Sequence, residues 1–202
     1  MVERDDDLRL MRRLAEGEDQ AMAALVERWQ VPVLSFVCRF LGCSDDEARD
    51  VAQEAFLRVW RQRERWRPTA AFSTWLFTIV SNLCRNRARD LGRRPALLQL
   101  GVDEKGDPAV DLPAPLVDDP HARAEAAEAA ARLRVAISRL PENQRVALLL
   151  RRFANLSYRE IGDVLGVTPS AVDSLLVRAR RALADALDDR AQDWPRSGVE
   201  HG

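Results

Sequence analysis

"LSYREIGDVLGVTPSAVDSLLVRARRAL", residues 156–183, decides the reading of this chain. Ser157 followed by Glu160 three residues on is a capping box, so a short helix starts there. Gly166 supplies the left-handed residue that stops it. Thr168 then caps a longer helix, with Pro169 in the first helical position. Ile161, Leu165, Val167, Val172 and Leu176 fall where two crossing helices share a core. That is helix-turn-helix spacing. The second helix presents Ser170, Asp173, Ser174 and Val177 near its start, with Arg178, Arg180 and Arg181 behind them. Arg159 belongs to the first helix. Short polar side chains can read base edges in a major groove, and arginines can hold the phosphates on either side. A helical hairpin used only for packing would carry the same caps, and the arginine cluster favours DNA.

Outward from this motif, apolar residues recur at spacings of three and four, and β-branched alternation is missing. Upstream lie an Ala-rich helix over about 121–138 and another opened by Pro141 and reaching about Phe153. In the first half the pattern predicts helices over 8–16 and 19–29. A third follows Pro32 and ends at Gly42, and a fourth runs over about 45–66, capped by Ser44 with Glu47. A fifth opens at Phe72. Between Gly92 and Pro120 the chain is rich in Pro, Gly and Asp and has no period, which reads as a flexible linker. The expected fold is therefore all-α, with two small helical domains over 8–94 and 121–188 joined by a linker over 95–120. The tail beyond 188 is expected to fray.

Hydrophobic residues make up 47% of the 202, enough for a packed core, and the formal net charge is −1. The three cysteines, Cys38, Cys43 and Cys84, lack CxxC spacing and a nearby histidine. Ordinary buried thiols are the plain reading, and a sensing role for Cys38 and Cys43 is the alternative. No metal site and no cofactor are expected. The charged N-terminus has no secretory pattern, and no uninterrupted apolar run approaches the about 20 residues that span a bilayer. A cytoplasmic protein without membrane insertion is expected. With no Gly-rich phosphate loop, metal-ligand cluster or His beside a nucleophile, no catalytic residues are assigned and the chain is not expected to be an enzyme.

The first half carries two further faces. In the helix from Asp45, residues Ala48, Val51, Ala52, Ala55, Phe56, Val59 and Trp60 form an apolar stripe. Asp46, Asp50, Gln53, Glu54 and Leu57 lie on another side. The next helix has a core stripe of Phe72, Trp75, Leu76, Ile79, Val80 and Leu83. It ends in Arg85, Arg87, Arg89, Arg93 and Arg94, against the single Asp90. Arg61, Arg63, Arg65 and Arg67 surround Trp60 and Trp66. Arginines that track phosphates beside aromatics and Asn amides are how proteins hold single strands. The competing reading is a solvated basic face over a Trp-filled core, and Trp60 and Trp75 do lie on core stripes.

Three stretches together resemble the bacterial RNA polymerase sigma factors of the extracytoplasmic-function type, within the sigma-70 family. "DDEARDVAQEAFLRVWR" resembles the region 2 helix that docks on the polymerase clamp. "AAFSTWLFTIVSNLCRNRARDLGRRP" resembles the region 2 helix and loop that melt and read the −10 element. "LPENQRVALLLRRFANLSYREIGDVLGVTPSAVDSLLVRARRAL" resembles region 4, which reads the −35 element. The resemblance implies a transcription-initiation subunit whose partners are core RNA polymerase, through the clamp of its β′ subunit and the flap of its β subunit, promoter DNA, and an anti-sigma factor. It implies core contact by Asp46, Asp50, Gln53, Glu54 and Leu57. It implies −10 contact by Trp75, Asn82, Arg85, Asn86 and Arg87, and −35 contact by Arg159, Ser170, Asp173, Ser174, Arg178 and Arg180. Asp173 and Leu175 depart from the basic residues usual in the family's recognition helix. The alternative is an ordinary helix-turn-helix regulator with an N-terminal sensor or dimerisation domain. Such a regulator has no need of an acidic docking helix beside a strand-binding surface.

Overall fold

A computed structural model describes residues 2–90 and 120–188. They form eight helices and no strand: α1 (Val2–Ala15), α2 (Asp19–Leu41), α3 (Asp45–Gln62), α4 (Phe72–Asp90), α5 (Pro120–Arg139), α6 (Glu142–Phe153), α7 (Tyr158–Leu165) and α8 (Pro169–Asp188). The expected linker lies outside the described residues except for Pro120, which begins α5, and so does the tail beyond 188. The all-α reading and the division into two helical units, α1–α4 and α5–α8, hold.

The hub is α2. The sequence predicts a break at Pro32, but α2 runs straight through it for 23 residues. Proline's fixed φ suits a helix, and its missing N–H costs on the order of 3 kcal/mol. Leu25 before it and Val33, Phe36 and Val37 after it are all fully buried. Burial of each contributes roughly 1.5–3 kcal/mol, so one continuous buried face outweighs the lost bond. By length and hydropathy alone α2 could cross a bilayer. It is instead a core helix, with α1, α3, α4 and α6 packed around it. It ends at Gly42, whose φ of 63° is left-handed and whose N–H donates to the Cys38 carbonyl at 2.8 Å. α1 is tied to α2 by buried Asp7, which accepts from Arg28 at 2.8 Å and from the Trp29 indole at 3.2 Å.

Helix α3 starts where the sequence predicts, with the Ser44 hydroxyl accepting the Glu47 N–H. It stops at Gln62, short of the expected 66. Arg63 folds back there, its guanidinium 4.3 Å from the Trp60 ring and donating to the Trp60 carbonyl at 2.9 Å. An aromatic chain then links the elements: Trp66 meets Trp75, Trp75 meets Phe72, Phe72 meets Trp29, and Trp29 meets Phe77. Ring centroids in this chain lie 6.1–6.3 Å apart, inside the favourable range for tilted and edge-on pairs.

The two units are docked. Leu149, Leu150 and Ile161 of the second join Phe36, Phe40 and Phe77 of the first in one apolar cluster. α6 lies on α2, and α7 lies on α4. Two arginines cross the seam face-on to rings. Arg39 sits 4.3 Å from the Phe153 centroid, and buried Arg145 sits 4.6 Å from that of Phe40. Burial pulls both guanidinium pKa values below the usual arginine range. Cation–π contact offsets part of that desolvation.

Candidate functional site

The acidic face forms because α3 must bury its Ala- and Val-rich stripe against α2 and α4, which turns the opposite side outward. Asp46, Asp50, Gln53 and Leu57 are exposed there, and Glu54 is half-buried. Asp46 accepts from Arg49 at 3.1 Å, and Glu54 accepts from Arg58 at 2.8 Å. The Arg58 hydrogen bond holds the Glu54 carboxyl below the usual carboxylate range. All five expected residues share this side. Beside them opens an apolar groove of about 490 Å³, with Leu57, Phe56 and Trp60 on one wall and Met22, Val26 and Leu34 of α2 on the other. The α2 wall was missed in the sequence, although half-buried apolar residues four apart at 22 and 26 were a signal for it.

On α4 the structure brings Asn82, Arg85, Asn86 and Arg87 together over the last two turns. Asn82, Asn86 and Arg87 are exposed. Arg85 is only 22% exposed, donating to Glu142 of α6 at 2.8 Å and reaching the Asn82 amide oxygen at 3.5 Å. Arg87 donates to Glu47 of α3 at 3.3 Å, and Arg89 to the Asn86 amide oxygen. Trp75 is not brought to this group. It lies seven residues nearer the start of α4, about 10 Å along the axis, half-buried against Trp66 and Phe72. Of the other arginines, Arg63 is stacked on Trp60 and Arg67 donates to the Glu64 and Trp66 carbonyls. Arg93 and Arg94 lie outside the described residues.

The helix-turn-helix is built as its caps predict. Ser157 and Glu160 close a full capping box, with Ser157 N–H and Oγ–H on the Glu160 carboxylate at 2.8 and 2.6 Å. Gly166 takes a φ of 69°. Gly162 lets the turn approach: a Cβ there would stand 2.6 Å from the Val167 carbonyl oxygen. Ile161, Val172 and Leu176 are buried between the helices, and Leu165 and Val167 pack at their edge. Ser170, Asp173, Ser174, Arg178 and Arg180 of α8 are exposed, as is Arg159 of α7. Ser174 Oγ donates to the Ser170 carbonyl and Arg178 Nε to the Ser174 carbonyl, each at 3.1 Å. Arg180 turns towards α6, where it lines an open groove of about 430 Å³ with Arg151, Arg152 and Asn155. Among the described residues no group of three His, Cys, Asp or Glu side chains could hold a metal ion.

A helical unit with an acidic, groove-bearing helix and an arginine-ended one, docked on a helix-turn-helix unit, defines a two-part nucleic-acid-binding protein. The Sigma-70 region 2 profile matches residues 25–94, and the Sigma-70, region 4 profile matches residues 130–183. The RNA polymerase sigma-H factor of Pseudomonas aeruginosa is 34% identical over 191 residues, covering 93% of this chain and 96% of that protein. The ECF RNA polymerase sigma-E factor of Escherichia coli K12 is 31% identical over 192 residues, covering 95% and 97%. Among solved structures, CnrH in complex with the cytosolic domain of CnrY has a TM-score of 0.66 at 26% identity, covering 92% of this chain and 99% of that one. The sigma factor RpoE in complex with the anti-sigma factor NepR, from Bartonella quintana, has a TM-score of 0.57 at 22% identity, covering 80% and 94%, and so shares the fold. The chain belongs to the sigma-70 family of RNA polymerase sigma factors, in the extracytoplasmic-function group.

Proposed function

We propose that the three exposed faces divide the work of a sigma factor that binds core polymerase, directs it to particular promoters and helps open the −10 element. Asp46, Asp50, Gln53, Glu54 and Leu57 receive the polymerase clamp, with Leu57 as the apolar anchor at the lip of the groove. Asn82, Arg85, Asn86 and Arg87 hold and read the melted strand, and half-buried Trp75 offers one ring edge to it from the far end of α4. Arg159, Ser170, Asp173, Ser174, Arg178 and Arg180 meet the −35 duplex, and the second unit also receives the polymerase flap. The chain supplies specificity, while polymerase supplies catalysis in the cytoplasm.

The observation that carries this reading is the presence, in one chain, of a docking face and a strand-binding face on a unit separate from the helix-turn-helix. An ordinary regulator has no use for the first two. Two relatives of solved structure were captured with a protein partner, CnrY in one case and an anti-sigma factor in the other. A comparable inhibitor covering these same faces fits here. Reading two separated promoter elements also requires the docked units to part. The test is run-off transcription with purified core polymerase on a library of promoter templates. Chain-dependent initiation, with enrichment at two spaced elements, is expected. Duplex binding without initiation would favour the regulator.

A further inference from the structure

Cys38 and Cys43 are used by none of these faces, yet the fold brings them together. The left-handed residue Gly42 reverses the chain after α2, which sets Cys43 over the last turn of the helix. The Cys38 and Cys43 side chains are hydrogen-bonded to each other. Cys38 Sγ also points at Asp45 Oδ1, 3.8 Å away, at the first residue of α3. Both thiols are free and partly exposed, whereas Cys84 is free and fully buried. Two thiols in contact, one beside a carboxylate and both within reach of solvent, have the parts of a reversible redox couple.

We propose that Cys38 and Cys43 form a hydroperoxide-responsive dithiol that closes to a disulfide across the turn between α2 and α3. Cys43 supplies the attacking sulfur. Its thiolate breaks the O–O bond of the hydroperoxide and takes one oxygen to become a sulfenic acid, and the other oxygen leaves as water or alcohol. The Cys38 sulfur then attacks the Cys43 sulfur, the S–O bond breaks, and water leaves. Asp45 accepts the Cys38 proton as the S–S bond forms and passes it to the departing hydroxide. Overall two thiols are oxidised and one peroxide is reduced. The order of roles follows from the surroundings. Burial, the hydrogen bond with Cys43 and the nearby Asp45 charge all raise the Cys38 pKa, so Cys38 stays a thiol until the second step. Cys84 has its pKa raised mainly by burial and takes no part. In a reducing compartment the pair rests as the dithiol, and such pairs there serve as sensors rather than as struts.

The test treats the full chain with hydrogen peroxide and reads intact mass and peptide maps. The expected product has lost two hydrogens, links Cys38 to Cys43 within one chain, and is restored by dithiothreitol. Cys38→Ser should stop at a Cys43 sulfenic acid that dimedone traps. Cys84→Ser should behave as the parent chain. Asp45→Asn should leave Cys43 sulfenylation unchanged but slow disulfide closure roughly tenfold, at or below the low end of general-base effects. Should that variant fail to fold, the Cys38→Ser trapping decides alone. Over-oxidation of Cys43 with Cys38 left free would overturn the proposal. So would thiols that react only in denaturant, or bonds that form only between chains.

Discussion

Arg85 and Glu142, 57 residues apart in sequence, meet across the seam between the two units at 2.8 Å. The arginine belongs to the candidate strand-binding cluster on α4, and the glutamate opens α6. In the docked chain, therefore, one member of that cluster is already occupied by a carboxylate, where DNA would place a phosphate. Arg87 is matched in the same way by Glu47 of α3.

Glu142→Gln should free Arg85 without unfolding the chain. An ion pair this open to solvent contributes about 1 kcal/mol or less, so denaturant midpoints should barely move. Affinity for a single-stranded −10 oligonucleotide should rise by a few-fold, most clearly at low salt. Equal affinity of variant and parent in a fluorescence-anisotropy titration would mean that Glu142 does not compete with the strand.

Leu57→Arg places a charge at the lip of the groove between α2 and α3, and reversing Asp50 and Glu54 to Lys inverts the face beside it. Either change should weaken core-polymerase binding by roughly tenfold or more, a loss of about 1.4 kcal/mol or greater. These side chains are not core residues, so circular dichroism should be unchanged. Titration with core polymerase measures the effect, and undiminished affinity would remove α3 from the docking role.

Neutralising Arg85 and Arg87 together should lower open-complex formation on every promoter and flatten its dependence on salt, because fewer counterions are released. Replacing Asn86 should instead alter base preference within the −10 element, since an amide reads base edges. Permanganate footprinting separates the two effects. Normal melting in the double arginine variant would place the strand elsewhere.

Asp173 is an exposed carboxylate on the helix offered to DNA, and among the described residues no ion pair reaches it. That leaves it available to accept from the N4 amine of a cytosine. Asp173→Ala should relax preference at one −35 position, with a discrimination loss on the order of 1–3 kcal/mol. Selection on randomised −35 duplexes measures it. Identical base preferences for parent and variant, with slightly tighter binding throughout, would show that the carboxylate only repels phosphate.

Asp7 gives the fold a pH signature. Burial raises its pKa above 3.8, against the lowering hydrogen bonds from Arg28 and Trp29. The folded chain therefore binds this proton more tightly than the unfolded one. The resulting stabilisation is complete below pH 3.8 and is lost as pH rises through the folded value. The stability of the parent relative to Asp7→Asn should thus improve on acidification from neutrality. Urea unfolding of both proteins across that range checks the sign, and a constant difference would contradict it.

Much of this molecule was legible in its sequence. Caps at Ser44, Ser157 and Thr168, glycine stops at Gly42 and Gly166, and apolar stripes of helical period all act within one or two turns. They defined the helices, the helix-turn-helix and the outward faces before any tertiary contact was known. Tertiary structure alone decided that α2 passes through Pro32, because only burial on both sides of the proline outweighs its lost hydrogen bond. It alone docked the units, set Arg39 on Phe153 and Arg145 on Phe40, and closed Arg85 onto Glu142. It also kept Trp75 apart from Asn82 and Arg85, and supplied the α2 wall of the groove beside Leu57. These depend on the fit between surfaces far apart in the chain, and no local period or cap encodes that fit.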